Sequence, residues 1–158
     1  MSPQDEQLTL YERLGGYNAI SLFAAHVFRK AFAHPDISHI WAHMPESSFL
    51  KEHANFLDFL AKEWGGNVTY RGRSVTETHK GMGLNEAHWN ALFECLDQAY
   101  EDFKIPTALR QEINHSLYKY KNVVIGSPSY RDVVLSHPEM DTNKGMASVG
   151  IIWPKRNS

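Results

Sequence analysis

Nine histidines and a single cysteine are the side chains of this 158-residue chain best suited to holding a metal. A neutral imidazole is a good ligand for iron or zinc, and its ordinary pKa leaves much of it neutral near pH 7. Two of the histidines stand where a ligand could be held. His53 falls at the centre of an apolar stripe made by Phe49, Leu50, Phe56, Leu57, Leu60 and Trp64 when the segment is wound as a helix. His79 follows Ser74-Val75-Thr76-Glu77, which has the spacing of a capping box, and Gly81 and Gly83 close the element behind it. Each could ligate iron, and each could equally be a core imidazole bonded to a backbone carbonyl, so spacing alone leaves the matter open. His39 and His43 are four apart, as zinc ligands on a helix are, with His34 before them. They lack the general-base carboxylate of a His-Glu-x-x-His motif and a third ligand at fixed spacing, which makes a zinc enzyme the weaker alternative.

These side chains need elements to position them, and the apolar periodicity is helical throughout. Thr9-Leu10-Tyr11-Glu12 has capping-box spacing and opens a short helix ended by Gly15-Gly16. From Asn18 the residues Ile20, Phe23, Ala24, Val27, Phe28 and Ala31 recur at i, i+3 and i+4 until His34-Pro35-Asp36 stops them. A helical turn carrying Trp41 is expected between Asp36 and Met44, followed by Pro45 to Ser48 as punctuation and cap, and a helix from about Phe49 to Trp64. After the short His79 element, one helix is expected from Asn85 to about Phe103. A second, started at Pro106, carries Leu109, Ile113, Leu117, Tyr120 and Val124 to a stop at Gly126-Ser127-Pro128. No alternating strand pattern and no repeat is present, so the fold class is all-α, helix packed on helix. The organisation expected is a tail over 1–8, one domain over 9–126 and an extension over 127–158, the last with an apolar patch at Val149-Gly150-Ile151-Ile152-Trp153-Pro154.

Bulk composition narrows the partners. Sixteen Lys and Arg against eighteen Asp and Glu give a net charge of -2, with the basic residues scattered, which argues against nucleic acid and an anionic membrane surface. The first ten residues lack the basic start and apolar run of a signal peptide, and no apolar run approaches a membrane span. Cys95 cannot form an internal disulfide and lies in an apolar stripe, so a cytoplasmic setting is expected. Nine histidines with 12% aromatic residues suit an imidazole ligand beside a large, flat, apolar guest.

Three stretches together resemble the truncated haemoglobins, most closely their first group. They are Leu10-Tyr11-Glu12-Arg13-Leu14-Gly15-Gly16, the helix ending from Phe59-Leu60 to Gly65-Gly66, and Tyr70-Arg71-Gly72-Arg73 through His79-Lys80-Gly81-Met82-Gly83-Leu84 with His88-Trp89 beyond. The likeness runs from about Thr9 to Val124. It implies a two-over-two helical sandwich around non-covalently held haem, with His79 as the proximal iron ligand. Because no Cys-x-x-Cys-His motif tethers a macrocycle, the cofactor implied is haem b.

On the distal side, many first-group members place a tyrosine on the second helix to donate to bound dioxygen, and this chain has Phe28 there. A three-residue insertion before Phe49 or near Lys62 leaves the register of the distal helix open by a turn. Under either placement His53 lies on the inward face and Glu52 towards its edge. His53 is accordingly the expected distal group, either donating to an iron-bound ligand or coordinating iron itself. Phe28, Trp41, Phe49, Phe56, Met82, Trp89 and Phe93 are expected porphyrin contacts. Arg73 is an expected propionate partner, with Lys51, Arg71 and Lys80 as lesser candidates. The ligand expected is a diatomic gas, dioxygen or nitric oxide. Nitric oxide dioxygenation or peroxidase-like chemistry, with a reductase as partner, is the alternative, and a haem-free interaction module is the remaining one.

Overall fold

The computed structural model describes residues 8–127 and 129, and every regular element among them is helical. In chain order these are α1 (Leu10–Arg13), α2 (Tyr17–Ala33), a 3-10 turn (Ser38–Ile40), α3 (Glu46–Glu63), α4 (Val75–His79), α5 (Glu86–Asp102), α6 (Thr107–Tyr118) and α7 (Lys121–Val124). The 127–158 extension, with its apolar patch, and the tail before Leu8 lie outside the described residues apart from Ser127 and Ser129.

The arrangement is a two-over-two sandwich, with α2 packed on both α3 and α5. Its apolar face, Ile20, Phe23, Ala24, Val27 and Ala31, is buried as the i, i+3, i+4 pattern requires. Phe23 stacks on Tyr100 of α5 at 5.8 Å, and the Tyr100 phenol donates to Asn114 Oδ1 of α6 at 2.7 Å. At the other end, Trp64 Nε1 donates to Ser116 Oγ at 2.9 Å, fastening the end of α3 to α6.

The glycine pair after α3 is there for close approach. Gly65 sits at φ +96°, and a Cβ on it would lie 2.8 Å from Thr9 Cβ; one on Gly66 would lie 2.7 Å from the Tyr11 ring. The missing side chains let Tyr11 N–H donate to Trp64 O at 2.8 Å, which seats α1 on the end of α3. Gly65→Ala is therefore expected to destabilise the protein by about 1–3 kcal/mol. Urea unfolding checks this, and an unchanged midpoint would mean that α1 can step aside freely.

Two boundaries differ from those the sequence suggests. Helix α3 begins at Glu46 rather than near Phe49, with Pro45 at the N-cap accepting the first helical bond from Phe49 N–H at 2.9 Å, so the two serines are helical and cap nothing. The last expected helix is broken into α6 and α7 at Lys119 and Tyr120 although neither is glycine or proline. The break has a tertiary cause: α7 packs against α4, and Tyr120 turns to bond Glu63 of α3. No described helix is long and apolar enough to cross a membrane.

Candidate functional site

The helices enclose a cavity of about 250 Å³ walled mainly by apolar side chains of α2, α3 and α5, among them Val27, Phe28, Phe56, Trp89 and Leu96. Close-packed helices of this length do not leave such a hollow by accident, because unfilled apolar space forfeits packing energy. A guest with large apolar faces fits the lining.

His79 enters this cavity from the last residue of α4. The helix is short, but its ends are fixed: Ser74 Oγ accepts from Glu77 N–H at 3.1 Å, and Gly81, at φ +83°, turns the chain away two residues after His79. The His79 ring lies 2.8 Å from the Val75 carbonyl through Nδ1, and a carbonyl can only accept, so Nδ1 carries the proton. That leaves the Nε2 lone pair without a protein partner among the described residues. Burial holds the His79 pKa below the ordinary imidazole value; the Val75 bond opposes this and Arg73 adds to it. The result is a neutral imidazole of fixed tautomer with one open nitrogen, the arrangement a metal-ligating histidine needs.

The lowered pKa has a thermodynamic consequence. Between the folded value and the unfolded value of about 6.5, the unfolded chain binds the proton and the folded chain does not, so stability falls as pH falls through that window, by up to about 1.4 kcal/mol per pH unit for this one group. Ligand-free His79→Gln is expected to lose that part of the acid sensitivity. Denaturant midpoints measured from pH 7 down to pH 5 would show it as a shallower slope.

Helix α3 presents Glu52, Asn55, Phe56 and Phe59 to the cavity, spaced three and four apart. Burial raises the Glu52 carboxyl pKa, against Arg73 and Lys51, which lower it. His53 is on the inner side of α3 but is not among the residues lining the cavity. Its ring packs against Phe28 at 5.6 Å, and its Nε2 is buried without a hydrogen-bond partner.

Of the residues the sequence singles out, His79, Phe28, Trp41, Phe56, Met82, Trp89 and Arg73 line the cavity together. Phe49 and Phe93 stand behind the lining: Phe49 packs on Phe32 at 4.8 Å, and Phe93 on Trp89 at 5.0 Å and Tyr118 at 4.9 Å. Lys51, Arg71 and Lys80 are exposed and outside it. Sequence reasoning missed Asn55, Tyr70, Thr78, His88 and Tyr120, which also line the cavity. The 52, 55, 56, 59 spacing was the signal available for Asn55.

The histidines of the zinc alternative do not converge. His34 Nε2 lies 2.6 Å from Glu94 Oε2, and His39 faces His88 at 5.8 Å between ring centres. Among the described residues no three or more His, Cys, Asp or Glu side chains are grouped to hold a metal ion. His88 itself is taken up locally, its Nδ1 accepting from Asn85 N–H at 3.0 Å in a reciprocal capping box at the start of α5.

Comparison with known proteins converges on one family. The model of the bacterial-like globins matches residues 9–125. A group 1 truncated hemoglobin of Tetrahymena pyriformis is 31% identical over 104 residues, covering 66% of this chain and 84% of that protein. A group 1 truncated hemoglobin of Synechocystis sp., GlbN, is 30% identical over 132 residues, covering 81% of this chain and 98% of the relative. Among solved structures, the Fe(III) form of the Tetrahymena pyriformis truncated hemoglobin superposes with a TM-score of 0.70 at 27% identity, covering 76% of this chain and all of that one.

Proposed function

Because the chain belongs to the group 1 truncated haemoglobins of the bacterial-like globin family, whose cofactor is haem b, we propose that His79 is its proximal iron ligand and that it binds a diatomic gas in the cavity. The observation that carries this reading is the His79 ring: half-buried, neutral, its Nδ1–H donating to Val75 O and its Nε2 left without a protein partner in the cavity lining. The apolar walls suit the faces of a porphyrin, and Phe28, Trp41, Phe56, Met82 and Trp89 are the contacts proposed. Arg73 is the proposed propionate partner, held by the short bond from Tyr70 Oη to its carbonyl oxygen. Bound haem supplies an iron atom whose sixth position accepts a diatomic ligand.

On the α3 side the polar groups facing that ligand are Asn55 and Glu52. Asn55 has an amide donor; Glu52 donates only when protonated, towards which its burial pushes it. A second reading keeps His53 as a distal ligand to iron, supported by its buried Nε2, which lacks any partner where it now lies. The ring would have to turn past Phe28 to serve. Dioxygen or nitric oxide binding is the function proposed. Nitric oxide dioxygenation or peroxidase-like turnover, fed by a reductase, would use the same site.

The test is an absorption spectrum of purified protein after hemin addition, ferric and dithionite-reduced. A Soret band with high-spin features is expected for His79 with Asn55 and Glu52 standing off the iron. Low-spin features in both states would favour the His53 reading, and failure to take up hemin would overturn both.

A further inference from the structure

We propose that Tyr120 is a redox-active tyrosine that delivers electrons into the cavity while its phenolic proton crosses to Glu63, so that the protein reduces peroxides at the expense of small one-electron donors. The proposal rests on the haem reading above and adds a residue pair and a substrate class to it. Tyr120 stands at the break between α6 and α7, lines the cavity, and donates to Glu63 Oε2 of α3 at 2.8 Å.

A phenol gives up an electron readily only if its proton has somewhere to go. Among the described tyrosines, Tyr120 alone combines contact with the cavity and a carboxylate partner. Tyr70 lines the cavity but donates to a carbonyl oxygen, which is too weak a base. Tyr100 donates to an amide, and Tyr17, which does bond a carboxylate, Asp58, lies outside the cavity. Tyr118 is half exposed and also outside it.

Lys119 completes the arrangement in two ways. It forms an ion pair with Glu63, whose side chain is only 15% exposed, and so fixes that side chain beside the phenol. Its ammonium also lies 5.2 Å from the centre of the Tyr120 ring, where a positive charge opposes any ring that loses an electron and keeps its proton. Electron and proton therefore leave together, by separate routes. Burial and the Glu63 bond raise the phenol pKa, so the resting group keeps its proton.

The balance closes with a peroxide as oxidant. Hydrogen peroxide becomes two waters by taking two electrons and two protons, and its O–O bond breaks. Each electron leaves Tyr120 for the cavity as the phenolic O–H proton passes to Glu63. The phenoxyl is restored by an electron from an external donor such as a small phenol and by return of the proton from Glu63. The donor's own proton goes to solvent, which supplies the protons of the waters formed.

The experiment uses the full chain loaded with hemin, loading being confirmed by its absorption band, then mixed with one equivalent of hydrogen peroxide and frozen for electron paramagnetic resonance. A tyrosyl signal is expected, absent in Tyr120→Phe and unchanged in Tyr118→Phe. In Glu63→Gln it should form about a hundredfold more slowly, the typical worth of a positioned proton acceptor. An undiminished signal in Tyr120→Phe, or an unaltered rate in Glu63→Gln, overturns the proposal. Should Tyr120→Phe take up hemin poorly, peptide mapping of the wild-type protein after peroxide and a spin trap decides: an adduct on Tyr120 supports it, and adducts only elsewhere overturn it. Absence of the haem band in the wild-type protein removes the haem reading and this inference with it, whereas a normal band without a Tyr120 radical removes this inference alone.

Discussion

Replacing His79 by glycine is expected to strip the protein of most of its haem, weakening retention by at least about a hundredfold, since even partners outside the ligand itself are worth 10–100-fold at metal sites. The size follows from how little else on α4 could take over. Val75 and Thr78 reach the cavity from the same helix, but one is a hydrocarbon and the other spends its hydroxyl on Ser74 O at 2.9 Å. Glycine leaves a space shaped for imidazole beside the Val75 carbonyl, so free imidazole should restore the native spectrum in the variant and change the wild type less. The measurement is the rate at which the Soret band passes to an excess of a haem-scavenging protein, with and without imidazole. Transfer as slow as in the wild type would take His79 out of the ligand role. Ligand-free His79→Gln supplies the control: its expected loss of acid sensitivity appears without haem, so a folding defect and a ligation defect give different signatures.

Much of the scaffold behind this was legible before any coordinates. Thr9 and Ser74 cap their helices by accepting from Glu12 and Glu77, and the α2 stripe is buried at the positions its period demands. Local chemistry decides such features, so a local reading finds them. What escaped was decided by contacts distant in sequence. The break at Lys119 and Tyr120 has no glycine or proline to announce it and exists because α7 packs on α4 while Tyr120 bonds Glu63, 57 residues earlier. Phe49 and Phe93 carry the right spacing for an inner face, yet other rings stand between them and the cavity. A helical wheel gives the direction of a side chain and not what lies in front of it. The same limit explains α3: the wheel centres His53 and puts Glu52 at the margin, while the cavity lies towards the margin and meets Glu52, Asn55, Phe56 and Phe59.

That offset decides which residue should govern ligand escape. A diatomic ligand in this cavity would be held by a hydrogen-bond donor, so the cavity-lining donors must be sorted by prior engagement. Thr78 Oγ donates to Ser74 O, Tyr70 Oη to Arg73 O and Tyr120 Oη to Glu63, and Trp89 Nε1, buried without a partner, belongs to α5 and not to the α3 side. Glu52 in its ionised form accepts and would repel, and Phe28 has no donor at all. The Asn55 amide lines the cavity with no protein partner among the described residues, and it lies on α3 one helical turn after Glu52. Asn55→Leu nearly preserves the volume and removes the donor. It is expected to speed dioxygen release by about 10–100-fold, the worth of about 1.5–3 kcal/mol for a hydrogen bond to a charged group. His53→Ala should leave that rate within about twofold, since its ring stands behind Phe28 and a side chain outside the site shifts a rate by only a few tenths of a kcal/mol. Laser photolysis and stopped-flow measurement of the dioxygen off-rate in both variants decide the point. A fast off-rate in His53→Ala with an unchanged one in Asn55→Leu would mean that the His53 ring turns into the cavity when haem is bound, and its orphaned Nε2 would then have found its partner there.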